Sequence, residues 1–205
     1  SGATNLSQAY FDSSTILKEA DFSDTDLYNV TFYGLDLTDA SFTGSNLQET
    51  NFQSSDLSGA NFSGATNLSQ AYFDSLTILK GADFSNTDLY YVNFMGKDLT
   101  GAKFSGVTNL SQAYFDSSTI LKGVEFSDTD LSDVTFYGLD LTGAKFSGVT
   151  NLNRVYFDSS TILKGVEFSD TDLSDVTFYG LDLTGAKFSG VTNLNRVYFD
   201  SSTIL

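Results

Sequence analysis

The stretch Phe126-Ser-Asp-Thr-Asp-Leu131-Ser-Asp-Val-Thr-Phe136-Tyr-Gly-Leu-Asp-Leu141-Thr-Gly-Ala-Lys-Phe146 returns a large apolar residue at every fifth position, Phe alternating with Leu. The four residues between are mostly small or polar. Neither the helical period of 3.6 nor the strand period of 2 gives this spacing. It marks a repeat chain in which each five-residue unit sends one side chain to a common axis.

Followed outward from that stretch, the centres run Leu6, Phe11, Ile16, Phe22, Leu27, Phe32 and so on to Leu194, Phe199 and Ile204. There are 39 of them, Leu or Ile alternating with Phe, and all 19 Phe residues are among them. A longer period lies above the short one. Residues 63–104, 105–146 and 147–188 are 42-residue copies, and 189–205 begin another; periods of this size belong to solenoids. Each copy is eight fives plus two residues, one between Phe104 and Leu110 and one between Ile120 and Phe126. The first unit, 1–62, is longer by 20 residues. A coil of four five-residue sides absorbs that as one added turn and keeps later sides in phase, whereas a three-sided coil does not. The sequence predicts that 1–205 is a single all-β, four-sided parallel β-helix of about ten coils, with no substantial helix.

The units Ala20-Asp21-Phe22-Ser23-Asp24, Ala60-Asn61-Phe62-Ser63-Gly64 and Ala82-Asp83-Phe84-Ser85-Asn86 resemble the pentapeptide-repeat family, whose unit reads roughly Ala-Asp/Asn-Leu-x-x. The resemblance covers essentially the whole chain. It implies a right-handed quadrilateral β-helix. The chain departs from the family unit at its six-residue steps, and where Tyr, Thr or Lys stands in place of Asp or Asn.

Two further slots follow from the geometry. The residue two before each centre is expected to face inward at a narrower spot, as Ala9, Ala20, Val30, Ala40, Ala71 and Val134 do before Phe. Before Leu or Ile the slot is usually Thr or Ser, with Leu35, Leu76, Leu139 and Leu181 larger. Lys97 occupies the same slot, and its ammonium is expected to snorkel out through a corner. The residue two after each centre is third in a β-turn, where a type II turn needs positive φ; 13 of 17 Gly residues stand there.

Composition narrows the chemistry. His, Cys, Pro and Trp are absent, so disulfides, thiolate chemistry and imidazole ligands are excluded, and no catalytic residue, cofactor or metal is assigned. The net charge of -16 repels nucleic acid and anionic membranes. No apolar run reaches a membrane span, and no signal peptide is seen, which leaves the localisation unknown. Neither end shows a polar cap, which is expected for a fragment or an engineered segment of a longer array. End-to-end stacking of uncapped coils is the expected self-association.

The outward columns carry the functional readings. Tyr10, Tyr33, Tyr72, Met95, Tyr114, Tyr137, Tyr156, Tyr179 and Tyr198 share one predicted side. They serve either as ordinary β surface packed on coil neighbours or as a contact face for a protein partner or second copy. Lys103, Glu125, Lys145, Glu167 and Lys187 form an alternating ladder of solvated ion pairs. Asn5, Asp26, Asn46, Asn67, Asp88, Asn109, Asp130, Asn151, Asp172 and Asn193 form a mixed column suited to amide ladders. It lacks the bidentate Glu of an EF-hand loop. Residues 1–62 hold nine acids (Asp12, Glu19, Asp21, Asp24, Asp26, Asp36, Asp39, Glu49 and Asp56) against one base. A non-enzymatic interaction scaffold is the first expectation. The family resemblance adds a second, since some members mimic duplex DNA and bind DNA gyrase. Those members tend to carry a dimerising C-terminal segment or projecting loops, which these residues do not show.

Overall fold

In the computed structural model, which describes residues 4–205, the chain winds as a right-handed, four-sided parallel β-helix. Single parallel bridges make up the walls. Asp21 pairs with Ser41 and Ser41 with Asn61, while Asn5, Asp26 and Asn46 climb the next wall. A coil takes 20 residues from Asp26 to Asn46 and 22 from Lys103 to Glu125.

The five-residue rhythm is a backbone cycle. Leu27, a centre, donates its N–H to the Asn46 carbonyl of the next coil at 3.0 Å, and its own carbonyl accepts the Val30 N–H across the turn at 3.0 Å. The third residue of that turn, Asn29, has φ of 54°, the left-handed value a type II turn requires. Asp26 steadies the turn, because its Oδ1 accepts the Tyr28 N–H at 3.2 Å. Asp and Asn suit this place for that reason, their side chains reaching the N–H two residues on.

The two Phe walls meet in the core. Phe11, Phe32 and Phe52 stack along the axis at 5.2 and 5.4 Å with planes 7° and 6° apart. Across the axis Phe42 meets Phe52 edge-on at 5.2 Å and 81°. These are the two arrangements the ring quadrupole favours. Inward hydroxyls satisfy carbonyls of the coil beneath, Thr129 reaching Phe104 and Thr171 reaching Phe146 at 2.7 Å. Among the described residues, no buried side-chain nitrogen or oxygen lacks a partner.

One wall differs from the sequence expectation. Ile16, Ile78, Ile120, Ile162 and Ile204 are exposed, by 37% to 90%, and Leu79, Leu121 and Leu163 fill the core instead. Ile120 bridges Asp98 and Asp140 on the outer face. The extra residue therefore falls before the Ile-Leu pair, between Phe115 and Leu121, and not between Ile120 and Phe126. Two neighbours fix this register. Thr119 takes the slot two before the centre, its hydroxyl 3.1 Å from the Phe94 carbonyl. Gly123 takes the corner two after, with φ of 62°. The same shift turns Leu76 outward to 68% exposure and puts Thr77 in the slot expected for it, while Leu35, Leu139 and Leu181 are buried. Counted on the Leu centres, 16 of 17 Gly residues stand at left-handed corners, and Gly2 lies outside the described residues.

The other extra residue of each copy is absorbed by single 3-10 turns at Leu68–Gln70, Leu110–Gln112 and Leu152–Arg154, each entered through a left-handed Asn. The register yields a direct comparison. In urea unfolding, Leu121→Ala is expected to lose about 2–5 kcal/mol, the cost of a core cavity. Ile120→Ala is expected to stay within about 1 kcal/mol, as an outward strand position does.

Candidate functional site

One Phe wall carries the tyrosines. Tyr72, Tyr114, Tyr156 and Tyr198 precede its centres on alternate coils, and Tyr33, Met95, Tyr137 and Tyr179 follow the centres on coils between. Bridges from Asn93 to Tyr114, Thr135 to Tyr156 and Thr177 to Tyr198 place these coils side by side. All nine residues of the predicted face, Tyr10 included, come together on this wall, each 41% to 75% exposed.

Coil length opens two clefts in the wall. Phe73, Phe115 and Phe157 belong to the coils that hold both a 3-10 turn and a six-residue step, and they are only partly buried. Phe94, Phe136 and Phe178 on the alternating coils are fully buried. The ring stack loosens from 5.2 Å at Phe11–Phe32 to 5.9 Å at Phe136–Phe157 and 6.4 Å at Phe157–Phe178. The slack appears as a cleft of about 370 Å³ between Tyr156 and Tyr179, floored by Phe157, Val176 and Leu181. A second, of about 220 Å³, lies between Tyr114 and Tyr137 over Phe115, Val134 and Leu139. The paired residues are 42 apart, so one cleft is the other moved along the axis by two coils.

Carboxylates alternate with the tyrosines. Asp116 Oδ1 accepts the Gly96 N–H at 2.9 Å and the Thr119 hydroxyl at 3.0 Å, and Asp158 Oδ1 accepts the Gly138 N–H at 3.1 Å. Bonds from Ser118 and Gly96 hold Asp116 below the usual carboxylate range, and those from Ser202 and Gly180 bring Asp200 to about 2. At the corner beside the clefts, Arg154 and Arg196 each contact an aspartate of the preceding coil, Asp133 and Asp175, at 2.6 Å.

Two aromatic residues of this region escaped the sequence reading. Tyr90 and Tyr91 stack at 4.1 Å at the corner, and Tyr91 lies 5.9 Å from Tyr114. The signal was available, since the later copies carry Ser132-Asp133 and Ser174-Asp175 at these places.

Lys97 departs from expectation. It does not snorkel to solvent but stays buried at 4% exposure, with Nζ donating to the Asp74 carbonyl. Burial pushes its ammonium pKa down, against the pull of the nearby Asp74 carboxylate. Burial also opposes ionisation of Asp74, yet hydrogen bonds from Ser54 and Thr77 prevail and bring its carboxyl to about 2.

The nine early acids do not gather on one face. Asp21, Asp26, Asp36 and Asp56 precede centres on three walls, Asp12 lies on the tyrosine wall, and Glu19, Asp24, Asp39 and Glu49 occupy left-handed corners. The Lys/Glu column forms discrete pairs, Lys145 to Glu125 at 3.9 Å and Lys187 to Glu167 at 2.5 Å, with Lys103 reaching Asp83 at 3.4 Å. In the amide column, Asn109 and Asn151 donate to Asp88 and Asp130 at 2.8 and 2.9 Å. Among the described residues no cluster of carboxylates is arranged to hold a metal ion, and no helix is long and apolar enough to cross a membrane.

Family models described as pentapeptide repeats match residues 27–71 and, separately, 4–44, 66–106, 108–148 and 150–190. The chain belongs to the pentapeptide-repeat family. No curated protein matches it in sequence. Among solved structures, it is similar to two trypsin-treated forms of QnrB1, a plasmid-mediated fluoroquinolone resistance protein. These are 26% and 27% identical, cover 97% of this chain and 91% of theirs, and have TM-scores of 0.50 and 0.51. HetL, a pentapeptide-repeat protein involved in heterocyst differentiation regulation in the cyanobacterium Nostoc sp. strain PCC 7120, is 22% identical. It covers 94% of this chain and 73% of its own, with a TM-score of 0.32.

Within the pentapeptide-repeat core, Lys97 is the residue most open to test. Leu139 and Leu181 fill its place in later copies, so Lys97→Leu is expected to raise stability at neutral pH by roughly 1–4 kcal/mol, the range for exchanging buried ionic groups for apolar ones. The folded-state pKa is depressed, so the unfolded chain binds more protons and wild-type stability rises with pH. The rise spans the interval from the depressed value to the ordinary lysine value near ~10.4. Urea titrations across that interval are expected to show the slope in wild type and lose it in the variant.

Proposed function

We propose that this pentapeptide-repeat protein is a non-enzymatic interaction rod whose tyrosine wall contacts a protein partner. The observation that carries this is the confinement of eight tyrosines and a methionine, each roughly half exposed, to one of four walls. Tyr and Met are enriched in interface cores, where Lys and Glu are depleted; the opposite Phe wall carries the Lys/Glu pairs. Self-association through this wall is the alternative form of the same reading. An enzyme would need an activated nucleophile or an acid–base pair, and the carboxylates instead cap turns. A photo-crosslinking residue placed at Tyr137 is expected to give discrete adducts in an extract of the source cells, and one placed at Lys145 on the opposite wall is expected to give none. Equal adducts, or none from Tyr137, would remove the wall from the reading.

A second reading has its own support. All seven ion pairs among the described residues lie between Asp83 and Arg196, so the acids of the first coils are not offset by bound cations. With nine acids and one base over residues 1–62, about three coils carry one net charge per ~1.8 Å, near the one per ~1.7 Å of a duplex. Together with the likeness to a fluoroquinolone resistance protein, this favours a DNA mimic that binds a DNA-handling enzyme such as gyrase. On that reading, gyrase supercoiling responds to low micromolar protein, and neutralising Asp36, Asp39 and Asp56 to Asn abolishes the response. Unchanged supercoiling up to high micromolar protein removes it.

A further inference from the structure

We infer that the tyrosine wall docks a proline-rich segment in the polyproline II conformation, with lysine or arginine between its prolines, one turn of the segment to every two coils. The inference rests on the wall being a protein-contact face and names the class of partner.

The first support is period. The clefts recur every two coils, which is about 9.4–9.8 Å along the axis at the spacing of paired strands. A polyproline II helix has three residues per turn and rises ~3.1 Å per residue, so the same face returns every ~9.3 Å. Across the pairs Tyr72/Met95, Tyr114/Tyr137 and Tyr156/Tyr179 the two periods drift apart by no more than about 1 Å. The other regular conformations fit less well. An extended strand presents the same face every ~6.6–6.8 Å, and stretching its repeat to three residues throws alternate side chains to opposite sides. An α-helix returns a face after seven residues, ~10.5 Å, and is out of step by roughly 2 Å after two repeats.

The second support is backbone chemistry. Strand addition needs a free row of N–H and C=O groups along a sheet edge, and every second coil boundary of this wall is closed by backbone bonds. Phe94 N–H is bonded to the Tyr114 carbonyl, Tyr114 N–H to the Val92 carbonyl, and Phe136 N–H to the Tyr156 carbonyl, all at 2.9 Å. The boundaries at the clefts carry no bridge, Tyr114 not pairing with Thr135 nor Tyr156 with Thr177. Each is a single gap between interior coils and not a continuous sheet edge, so a ligand lying along the wall is recognised by side-chain shape. Prolyl rings lack an N–H, lose little entropy on binding and dock between aromatic rings, and each cleft presents two tyrosines over a floor of Phe, Val and Leu. The third is charge. Asp116 and Asp158 stand on the same wall at the same two-coil spacing, fixed by turn hydrogen bonds, in a chain of net charge -16. They select cationic residues at the positions between prolines.

Fluorescence anisotropy with labelled synthetic peptides tests this on the whole chain. The probes are three repeats of Pro-Pro-Arg, a single repeat, and a control with alanine for every proline at equal charge. The three-repeat proline peptide is expected to bind at least ten-fold tighter than either of the others, since added turns engage further clefts. Replacing Tyr114, Tyr137, Tyr156 and Tyr179 by Thr, which keeps strand propensity, is expected to weaken it at least ten-fold with an unchanged circular dichroism spectrum. Lys145→Thr on the opposite wall is expected to leave it unaltered. Equal binding of the alanine peptide would reduce the effect to charge alone and overturn the inference, and so would absence of binding by any probe. If crosslinked adducts still form at Tyr137 while no proline peptide binds, the contact face stands and the polyproline partner falls.

Discussion

Everything in this molecule depends on the corner. Each coil must reverse direction four times, and most reversals place one residue in the left-handed region two positions after an inward side chain. The 3-10 corners instead place Asn67, Asn109 and Asn151 there, one before the inward Leu, and the corners after Phe73, Phe115 and Phe157 lack a left-handed residue. That requirement fixes where Gly, Asn and Asp stand. It also fixes which residue points to the axis, since a corner moved by one residue would turn a core side chain outward. Burial of Phe and Leu supplies the driving force, but it does not choose among registers. The corners choose. At Gly148 the selection is tighter still, because a Cβ built there would lie 2.6 Å from Asp128 Oδ1 on the coil beneath.

The outer surface inherits its regularity from the same constraint. Two coils hold 42 residues because one of them carries two extra, and those extras have nowhere to go inside a lumen already filled by stacked rings. They are accommodated as a 3-10 turn and a widened corner, and the neighbouring Phe is left partly uncovered. The clefts of the tyrosine wall are thus a by-product of coil length. The corner aspartates beside them, Asp133 and Asp175, are pinned by Arg154 and Arg196.

Most of the architecture could be read from residue spacing, because one period governs nearly every position. The membership of the tyrosine wall was equally legible, since side chains one before and one after a centre must point outward. The misreadings occurred where two residues competed for a single role. Ile120 and Leu121 are both large and apolar, and five-residue counting favours Ile. Only the hydroxyl of Thr119 and the left-handed φ of Gly123 decide for Leu. Lys97 was misplaced because an amphipathic side chain has two ways to satisfy its ammonium, and the distance to a backbone carbonyl is not written in a sequence. The clefts were not foreseeable either, since they arise from a loosening of about 1 Å in a ring stack.

The near-identity of 105–146 and 147–188, which differ only at Ser111-Gln112-Ala113 against Asn153-Arg154-Val155, has a consequence for how such a chain can change. Each copy spans whole coils, so duplicating or deleting one lengthens or shortens the shaft by about 9.6 Å without rotating any side relative to the rest. Recombination between copies then behaves like sliding a ruler by one graduation. Length varies in fixed steps while every surface keeps its compass bearing.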